Sequence, residues 1–233
     1  MSAQQTLVLG IPSKGRLMEQ AAEIFAQAGL PITKTGPDRG YQGRIESMEG
    51  VEVAFLSASE IAHHVKAGTI HLGITGEDLL REDIADFDVK AEILKPLGFG
   101  NADVVVAVPD AWLDVWVMAD LDDVAIKFHE AHDRRLKVAT KYLNLTRRFF
   151  TQKGVTGYRI AESLGATEGA PAAGTAEVIV DITSTGSTLK ANHLRILEDG
   201  LILQSQAVLV SAKTADWSGG REDMRTQILK RLG

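Results

Sequence analysis

Short apolar runs alternate with amphipathic stretches through the first part of the chain. Runs typical of buried strands occupy residues 6–11, 51–56 and 70–75, and a stretch with helical spacing follows each of them. The helical stretches cover residues 17–29, a segment that extends through Lys66 and stops at Gly68, and a segment that begins at Glu77. Strands that alternate with helices in this order predict an α/β fold with a parallel sheet.

The same alternation resumes after a glycine-containing segment at residues 98–101, which we interpret as a hinge. Further strands are predicted at 104–108, 136–139, 178–180 and 201–211, further helices at 143–153, 189–194 and 222–232, and a loop at 165–174. We expect the chain to cross back near residues 195–200. This predicts a discontinuous α/β lobe of residues 1–100 and 197–233, an inserted lobe of residues 101–196, and a cleft between them. Ligands of such folds bind outside the carboxyl ends of strands.

Composition and charge exclude several classes of function. The chain has 233 residues with a formal net charge of -6, so no general basic field favours nucleic acid. It contains no cysteine, which excludes disulfides, thiolate catalysis and cysteine-ligated zinc. No apolar run approaches the roughly 20 residues of a membrane span, and we therefore expect no membrane association and a cytoplasmic location.

The most informative segment follows the predicted strand at residues 178–180. Asp181 ends this strand. Five of the six residues at 183–188 carry hydroxyl groups, and the sixth, Gly186, allows the backbone to approach a ligand closely. A turn of this kind before a helix offers backbone N–H groups, hydroxyl donors and the positive end of the helix dipole to a phosphate. The carboxylate of Asp181 suits ribose hydroxyls or a metal, so the segment predicts a sugar-phosphate site. The alternative is an ordinary strand–turn–helix with a Ser or Thr cap.

Two further polar turns follow predicted strands in the first lobe. Lys14 and Arg16 flank Gly15 after the first strand, where they are candidates to neutralise phosphates. Thr75 and Gly76 follow the third strand, where the backbone is a candidate to approach a base or a phosphate. A solvated basic turn and a simple strand-to-helix turn are the respective alternatives.

Two candidate positions lie in the second lobe besides the hydroxyl-rich turn. Thr140, Lys141 and Tyr142 follow the strand at residues 136–139, where Lys141 is a candidate anion ligand and Tyr142 a candidate to stack on a base. Glu168 precedes the hydroxyl-rich turn and is a candidate to orient a ribose or a metal. An exposed loop acid is the alternative for Glu168.

The histidines do not form a convincing metal or nucleophile site. His129, Glu130, His132 and Asp133 lack the His-Glu-x-x-His spacing, and the acidic region at 119–133 is expected to be exposed. No Ser-His-Asp arrangement stands out along the chain. We therefore predict no resident metal site.

Several segments, in order along nearly the whole chain, resemble the ATP phosphoribosyltransferase family. The similar segments are residues 9–17 with Lys-Gly-Arg-Leu, 72–76 with Gly-Ile-Thr-Gly, 138–149 with Ala-Thr-Lys-Tyr, and 168–171 through 181–192, which carries the family signature. The last segment is highly specific, whereas Lys-Gly-Arg alone is weak.

The resemblance implies a two-lobe fold like that of type II periplasmic binding proteins. It implies Mg²⁺-dependent transfer of the phosphoribosyl group of phosphoribosyl pyrophosphate (PRPP) to N1 of ATP, with release of pyrophosphate, as the first step of histidine biosynthesis. The metal is expected to be bound to the substrate. Asp181 and Arg16 are the expected catalytic residues. The expected PRPP ligands are Glu168, Asp181, Thr183, Ser184, Thr185, Gly186, Ser187 and Thr188. The expected ATP ligands are Lys14, Gly15, Arg16, Thr75, Gly76, Thr140, Lys141 and Tyr142.

Two departures from the family pattern affect these expectations. Many members carry an arginine where this chain has Ser57, and the candidates to replace it are Arg39 and Arg44. The chain also ends soon after Trp217 and one helix, as in short-form members. Those work with a separate regulatory subunit that resembles a histidyl-tRNA synthetase, which implies a homodimer core within a hetero-oligomer.

Two other functions stay open on the sequence alone. A cytoplasmic solute-binding module would share the lobes but catalyse no reaction. Phosphoribosyltransferases of the commonest fold that act on free bases usually have two adjacent acids before their loop, and here Ile182 follows Asp181, which disfavours that function.

Overall fold

The computed structural model describes residues 6–35 and 41–233, which divide into two compact units. The first unit comprises Met1–Gly100 and Gln206–Gly233, and the second comprises Asn101–Ser205. The second boundary lies later than the predicted crossing at 196–197, because a long strand of the second unit continues to Ser205. Within the described ranges, no helix is long and apolar enough to cross a membrane.

The elements alternate between strands and helices along most of the chain. Up to the first boundary they are β1 (Leu7–Pro12), α1 (Gly15–Gln27), β2 (Ile32–Thr35), β3 (Gln42–Ile45), β4 (Val51–Leu56), α2 (Ala58–Ala67), β5 (Leu72–Gly76), α3 (Glu77–Asp83), α4 (Phe87–Lys90) and β6 (Ala91–Pro96). Beyond it they are β7 (Ala102–Pro109), α5 (Met118–His132), β8 (Leu136–Thr140), α6 (Leu143–Gln152), β9 (Tyr158–Glu162), a 3₁₀ turn (Thr167–Gly169), β10 (Val178–Thr183), α7 (Ser187–Ala191), β11 (Leu194–Ser205), β12 (Ala207–Ala212) and α8 (Arg221–Leu232).

The first unit contains a sheet with the strand order β2-β3-β4-β1-β5-β12-β6 among the described residues. Strand β1 pairs in parallel with both β4 and β5, so the carboxyl ends of these three strands meet at one edge. Fully buried side chains such as Leu7, Leu9 and Phe25 pack α1 against this sheet. The polar turns that follow β1, β4 and β5 therefore lie along the same edge of the first unit.

The second unit contains a sheet with the strand order β11-β7-β10-β8-β9. Strands β10, β8 and β9 are parallel neighbours, and β7 pairs antiparallel with both β10 and β11. Buried valines of β7 and β10 and the aromatic side chains of α6 form the core on one face. The carboxyl ends of β10, β8 and β9 meet at one edge, and the hydroxyl-rich segment follows β10 there.

The predicted α/β class is confirmed, but several element assignments differ. Strands β2, β3, β6 and β9 were not predicted, because they are short and the exposed side chains of β2 and β3 break up the apolar pattern. The apolar stretch at residues 201–211 is not one strand. It contains the end of β11 and most of β12, which belong to different sheets and meet at Gln206.

Two helices also depart from the prediction. Residues 119–132 of the region expected to be an exposed acidic segment lie in α5, which buries Met118, Leu121 and Ala125, and Asp133 follows as its C-cap. The helix after the hydroxyl-rich turn has five residues and does not extend to residue 194, because His193 has a left-handed φ of 56° and β11 begins directly after it.

Candidate active site

The turn after β10 is closed by a hydrogen bond from its glycine. The backbone N–H of Gly186 donates to Thr183 Oγ1 at 2.8 Å, and Gly186 adopts a left-handed φ of 71°. Glycine reaches this conformation without the steric cost that a Cβ imposes. The hydroxyl groups of Thr185 and Ser187 lie 2.8 Å apart in the same turn.

The turn leaves several backbone donors open. Among the described residues, the N–H groups of Ser184, Thr185 and Thr188 have no hydrogen-bond partner. The side chains of these three residues are exposed. Convergent backbone N–H groups and hydroxyls are the groups that bind phosphate oxygens.

The turn forms one wall of a cavity of about 440 Å³ in the second unit, which we call the second-unit cavity. Its lining residues are Lys141, Leu164, Gly165, Ala166, Thr167, Glu168, Asp181, Ile182, Thr183, Ser184, Thr185, Thr188 and Leu189. A volume of this order is typical of a pocket for a small metabolite. The structure thus brings Glu168, Asp181 and most of the turn together around one space.

Asp181 is the half-buried carboxylate of this cavity. One of its oxygens accepts the backbone N–H of Ile182 at 2.8 Å. Burial raises the pKa of Asp181 above the ordinary value and the charge of Glu168 adds to this, while the Ile182 N–H and the charge of Lys141 oppose it. A desolvated carboxylate with a cation and a second acid nearby is typical of a functional site.

Glu168 reaches the cavity from a loop that is anchored to the sheet. It lies on the 3₁₀ turn, where the buried Thr167 donates from Oγ1 to Ser163 Oγ at 3.0 Å. The backbone N–H of Ser163 in turn donates to the carbonyl of Thr140 at 2.9 Å, which extends the pairing of β9 with β8. These contacts fix the loop, with Ala166 in a left-handed conformation at φ 50°.

Comparison with known proteins identifies the family. The sequence profile described as "HisG: ATP phosphoribosyltransferase" matches residues 57–233. An ATP phosphoribosyltransferase from Mesorhizobium japonicum is 60% identical over 225 residues, which cover 96% of this chain and 97% of that protein. The chain belongs to the ATP phosphoribosyltransferase family. Another ATP phosphoribosyltransferase, from Nitrobacter winogradskyi, is 59% identical over 227 residues, which cover 97% of this chain and 70% of that protein.

Solved structures confirm the fold class. The structure described as the ATP phosphoribosyl transferase (HisG:HisZ) complex from Thermotoga maritima aligns with a TM-score of 0.73 and 23% identity, over 97% of this chain and 98% of that chain. A substrate-binding protein of an amino acid ABC transporter aligns with a TM-score of 0.54 and 11% identity, over 97% of this chain and 91% of that chain. The chain therefore has the α/β fold that this transferase family shares with type II periplasmic binding proteins.

The expected ATP ligands do not form one group within either unit. Lys14, Gly15 and Arg16 lie exposed after β1 in the first unit, where Gly15 begins α1 with a left-handed φ of 75°. Thr75 and Gly76 end the neighbouring strand β5, so both turns lie at the same sheet edge. Thr75 is fully buried, and its hydroxyl donates to the carbonyl of Ala58 at 2.7 Å. The Thr75 side chain therefore supports the start of α2, and Thr75 as a whole presents no exposed surface to a ligand.

The remaining expected ATP ligands lie in the second unit, and two have structural roles. Tyr142 is 1% exposed in the core of that unit, so the expectation that it stacks on a base is wrong. Thr140 is fully buried, and its Oγ1 accepts the backbone N–H of Tyr142 at 2.8 Å. Lys141 instead lines the second-unit cavity and belongs with the expected PRPP ligands.

Ser57, at the position of the missing family arginine, caps a helix. Its Oγ accepts the backbone N–H of Glu60 at 3.3 Å, and Glu60 accepts the backbone N–H of Ser57 at 2.8 Å. This capping box begins α2. Arg44 lies in β3, where it is opposite Glu52 of β4, and Glu52 precedes Ser57 by five residues. Arg44 also forms a 3.8 Å ion pair with Glu46. Arg44 therefore does not replace the family arginine beside Ser57, and Arg39 lies outside the described residues.

The donor set of the cavity fits a metal that arrives with its substrate. Within the ranges 6–35 and 41–233, no group of three or more His, Asp or Glu side chains is placed to hold a metal ion. Asp181 and Glu168 both line the cavity. Two carboxylates and neighbouring hydroxyls are hard oxygen donors of the kind that Mg²⁺ takes, and Mg²⁺ usually keeps further ligands from water or substrate phosphates.

The sequence alone did not indicate four residues of the cavity wall. Leu164, Gly165, Ala166 and Thr167 follow β9, a strand that the apolar pattern did not reveal. Residues 165–174 were predicted as a loop. The available signal was that this loop contains Glu168, itself a candidate ligand.

Proposed function

We propose that the second-unit cavity is the PRPP site of this ATP phosphoribosyltransferase. The chain transfers the phosphoribosyl group of PRPP to N1 of ATP with release of pyrophosphate, which is the first step of histidine biosynthesis. The observation that carries the assignment is the half-buried Asp181 beside an open hydroxyl-rich turn in one cavity. A simple helix cap requires one side-chain oxygen that accepts a backbone N–H, and it requires neither a half-buried carboxylate nor a cavity.

The turn and the two acids bind different parts of the sugar phosphate. The 5′-phosphate binds to the open N–H groups of Ser184, Thr185 and Thr188 and to the surrounding hydroxyls, including those of Thr183 and Ser187. Asp181 and Glu168 accept hydrogen bonds from the ribose hydroxyls. The support for these roles is that both acids line the same cavity as Thr183, Ser184, Thr185 and Thr188 of the turn. Ser187 lies outside this lining, and its hydroxyl is 2.8 Å from that of Thr185.

The reaction requires no nucleophilic side chain. The lone pair of ATP N1 forms the new bond to ribose C1, and the electron pair of the C1–O bond leaves with pyrophosphate. No proton moves in this step, and the positive charge arrives on the adenine ring. Catalysis then consists of positioning the two substrates and stabilising the departing charge.

The turns at the sheet edge of the first unit are the proposed ATP side. Lys14 and Arg16 supply positive charge after β1, and Gly15 and Gly76 bring the backbone close to the ligand. Arg16 is also the proposed side chain that offsets pyrophosphate charge. These roles are supported by the family resemblance of both segments and by the adjacency of β1 and β5.

Mg²⁺ is the proposed metal, bound to PRPP, where it supplies neutralisation of the pyrophosphate charge. The donor chemistry of Asp181 and Glu168 supports a hard divalent ion. We further propose a cytoplasmic location, which fits substrates such as ATP and PRPP.

A separate regulatory subunit resembling a histidyl-tRNA synthetase is the proposed partner, around a homodimer core. The similar Thermotoga maritima structure was solved as a HisG:HisZ complex, which supports this proposal.

The direct test is product formation from ATP, PRPP and Mg²⁺. We expect phosphoribosyl-ATP and pyrophosphate, with the rate increased by the regulatory subunit. Thr188→Ala and Asp181→Asn are each expected to weaken the use of PRPP, and near-wild-type kinetics for both would sink the site assignment. A folded chain that binds small solutes but forms no product with or without the partner would favour a binding module.

A further inference from the structure

The second-unit cavity has one cation among its lining residues. Asp181 and Glu168 are acids, the turn contributes only neutral groups, and Lys141 is the single lysine or arginine of the lining. PRPP carries a phosphate and a pyrophosphate, both strongly negative. Two carboxylates and two anionic groups in one cavity require positive charge close by.

Lys141 lies between the two parts of the cavity wall. In the parallel pairing of β10 with β8, Val180 lies opposite Thr140, the last residue of β8. Asp181 and Lys141 are the residues that follow this pair along the two chain segments. On the other side, Thr140 lies opposite Glu162 of β9, after which the chain enters the loop that carries Glu168. Neighbouring parallel strands are about 4.8 Å apart. Lys141 is therefore a central residue of this sheet edge.

The Lys141 side chain is exposed and has a defined direction. Its ammonium nitrogen lies 4.9 Å from the ring centroid of the buried Tyr142. Its charge also acts on Asp181, because it lowers the pKa of that carboxyl against the effect of burial. The side chain thus lies beside the carboxylate assigned to the ribose hydroxyls.

The other groups of the cavity leave the pyrophosphate without a donor. The turn supplies open N–H groups and hydroxyls for the 5′-phosphate, and the two acids suit the ribose hydroxyls. We propose that Lys141 binds the pyrophosphate of PRPP and stabilises the negative charge that it gains when the C1–O bond breaks. This inference rests on the proposed PRPP site and changes the expected role of Lys141 from ATP binding to leaving-group binding.

The test compares three variants of the full chain. Lys141→Gln removes the charge, Lys141→Arg keeps it, and Lys190→Gln is the matched control. Lys190 is an exposed lysine of α7 that lies near the turn along the chain but does not line the cavity. Steady-state kinetics are measured for both substrates. Calorimetry measures the binding of magnesium pyrophosphate and of ribose 5-phosphate separately.

We expect Lys141→Gln to raise KM for PRPP and weaken pyrophosphate binding by about tenfold or more, the size typical of a charge-assisted hydrogen bond. KM for ATP and binding of ribose 5-phosphate should stay near wild type, and Lys141→Arg should restore most of the loss. The Lys190→Gln control should match wild type in all four measurements.

Two results would overturn the inference. One is a Lys141→Gln variant that loses ribose 5-phosphate but retains pyrophosphate, which would place the lysine at the 5′-phosphate. The other is an effect on KM for ATP alone. A wild-type chain that forms no product and binds no PRPP would instead contradict the proposed function itself, so the two failures are distinguishable.

Discussion

At the residue scale, Asp181 links function to a cost in stability. Burial, with help from Glu168, raises its pKa in the folded chain above the ordinary value of 3.8. The folded state then holds the proton more tightly than the unfolded state. The stabilising effect is therefore complete below the unfolded pKa and is lost as the pH rises through the raised folded pKa. Above that point the ionised carboxylate opposes folding.

Asp181→Asn should consequently raise thermal stability while it damages activity. The amide keeps the size of the side chain but has no charge to desolvate, so Tm should exceed that of wild type at neutral pH. The kcat/KM for PRPP should fall by roughly 10- to 100-fold, since ribose contacts to a charged acceptor are lost. Thermal denaturation from about pH 4 to about pH 8 should show a Tm difference that widens as the pH rises. A difference that stays constant or narrows would contradict the cause assigned to the pKa shift.

His71 provides the opposite pH dependence in the first unit. Its Nδ1 accepts the backbone N–H of Val8 at 3.0 Å, so Nε2 carries the proton and donates to the carbonyl of Asp216 at 3.2 Å. Burial lowers the pKa of His71, and the charge of Arg221 lowers it further. Stability from the neutral ring is present above the unfolded value of 6.5 and is lost as the pH falls through the lowered folded pKa.

His71→Leu tests this by removing the titration. At about pH 8 the variant should be less stable by about 1–3 kcal/mol, because the half-buried Val8 N–H loses its acceptor. Asp216 stays ionised across this window, since hydrogen bonds from Ser218 and Arg221 lower its pKa to about 2. The difference in unfolding free energy, from urea denaturation, should therefore shrink on acidification below pH 6.5. If it grows instead, the ring is not the neutral tautomer described.

At the element scale, the turn after β10 depends on the left-handed backbone of Gly186. A Cβ at this position would meet no atom within 4 Å, so an added methyl group causes only backbone strain. Gly186→Ala should lower the free energy of unfolding by roughly 1–2 kcal/mol and raise KM for PRPP. Gly174 is a matched control, because it has a φ of 68°, equally open surroundings and no place in the cavity lining.

Gly174→Ala should therefore cost similar stability and leave KM for PRPP unchanged. Denaturation and steady-state kinetics on both variants separate the two effects. Equal KM values for the two variants would show that the turn geometry does not matter to substrate binding.

Local patterns explain which elements could be predicted. The apolar runs that became β1 and the first half of β10 are buried on both faces, and β4 buries every second residue. Both patterns are visible in the sequence. Strand β2 lies at the edge of its sheet with β3 beside it, and each has two exposed residues among four, so their pattern is weak. The boundary between β11 and β12 divides one apolar stretch between two different sheets, and no local signal in the sequence marks it.

The candidate site likewise contains residues that a local sequence pattern reveals and residues that only the sheet topology brings together. The hydroxyl-rich turn and Asp181 are contiguous and could be predicted, whereas the wall contributed by the β9 loop depends on strand register. The error at Tyr142 has the same origin. The residue two positions past a strand end can point to a ligand or back into the core, and only the packing of α6 decides this.

At the scale of the whole molecule, the proposed substrate groups fall into two compact units. The proposed PRPP ligands lie between Lys141 and Thr188 in the second unit, and the proposed ATP ligands Lys14, Arg16 and Gly76 lie in the first. Each unit has its own sheet and its own core. PRPP should therefore bind to the second unit through contacts that do not require ATP.

Hydrogen–deuterium exchange with PRPP and Mg²⁺, in the absence of ATP, tests this most directly. The account predicts slower exchange in peptides that cover residues 164–168 and 181–188, with little change in β2 and β3, and the Asp181→Asn variant should lose this protection. Protection confined to the first unit, or none at PRPP concentrations that support turnover, would contradict the assignment of the second-unit cavity.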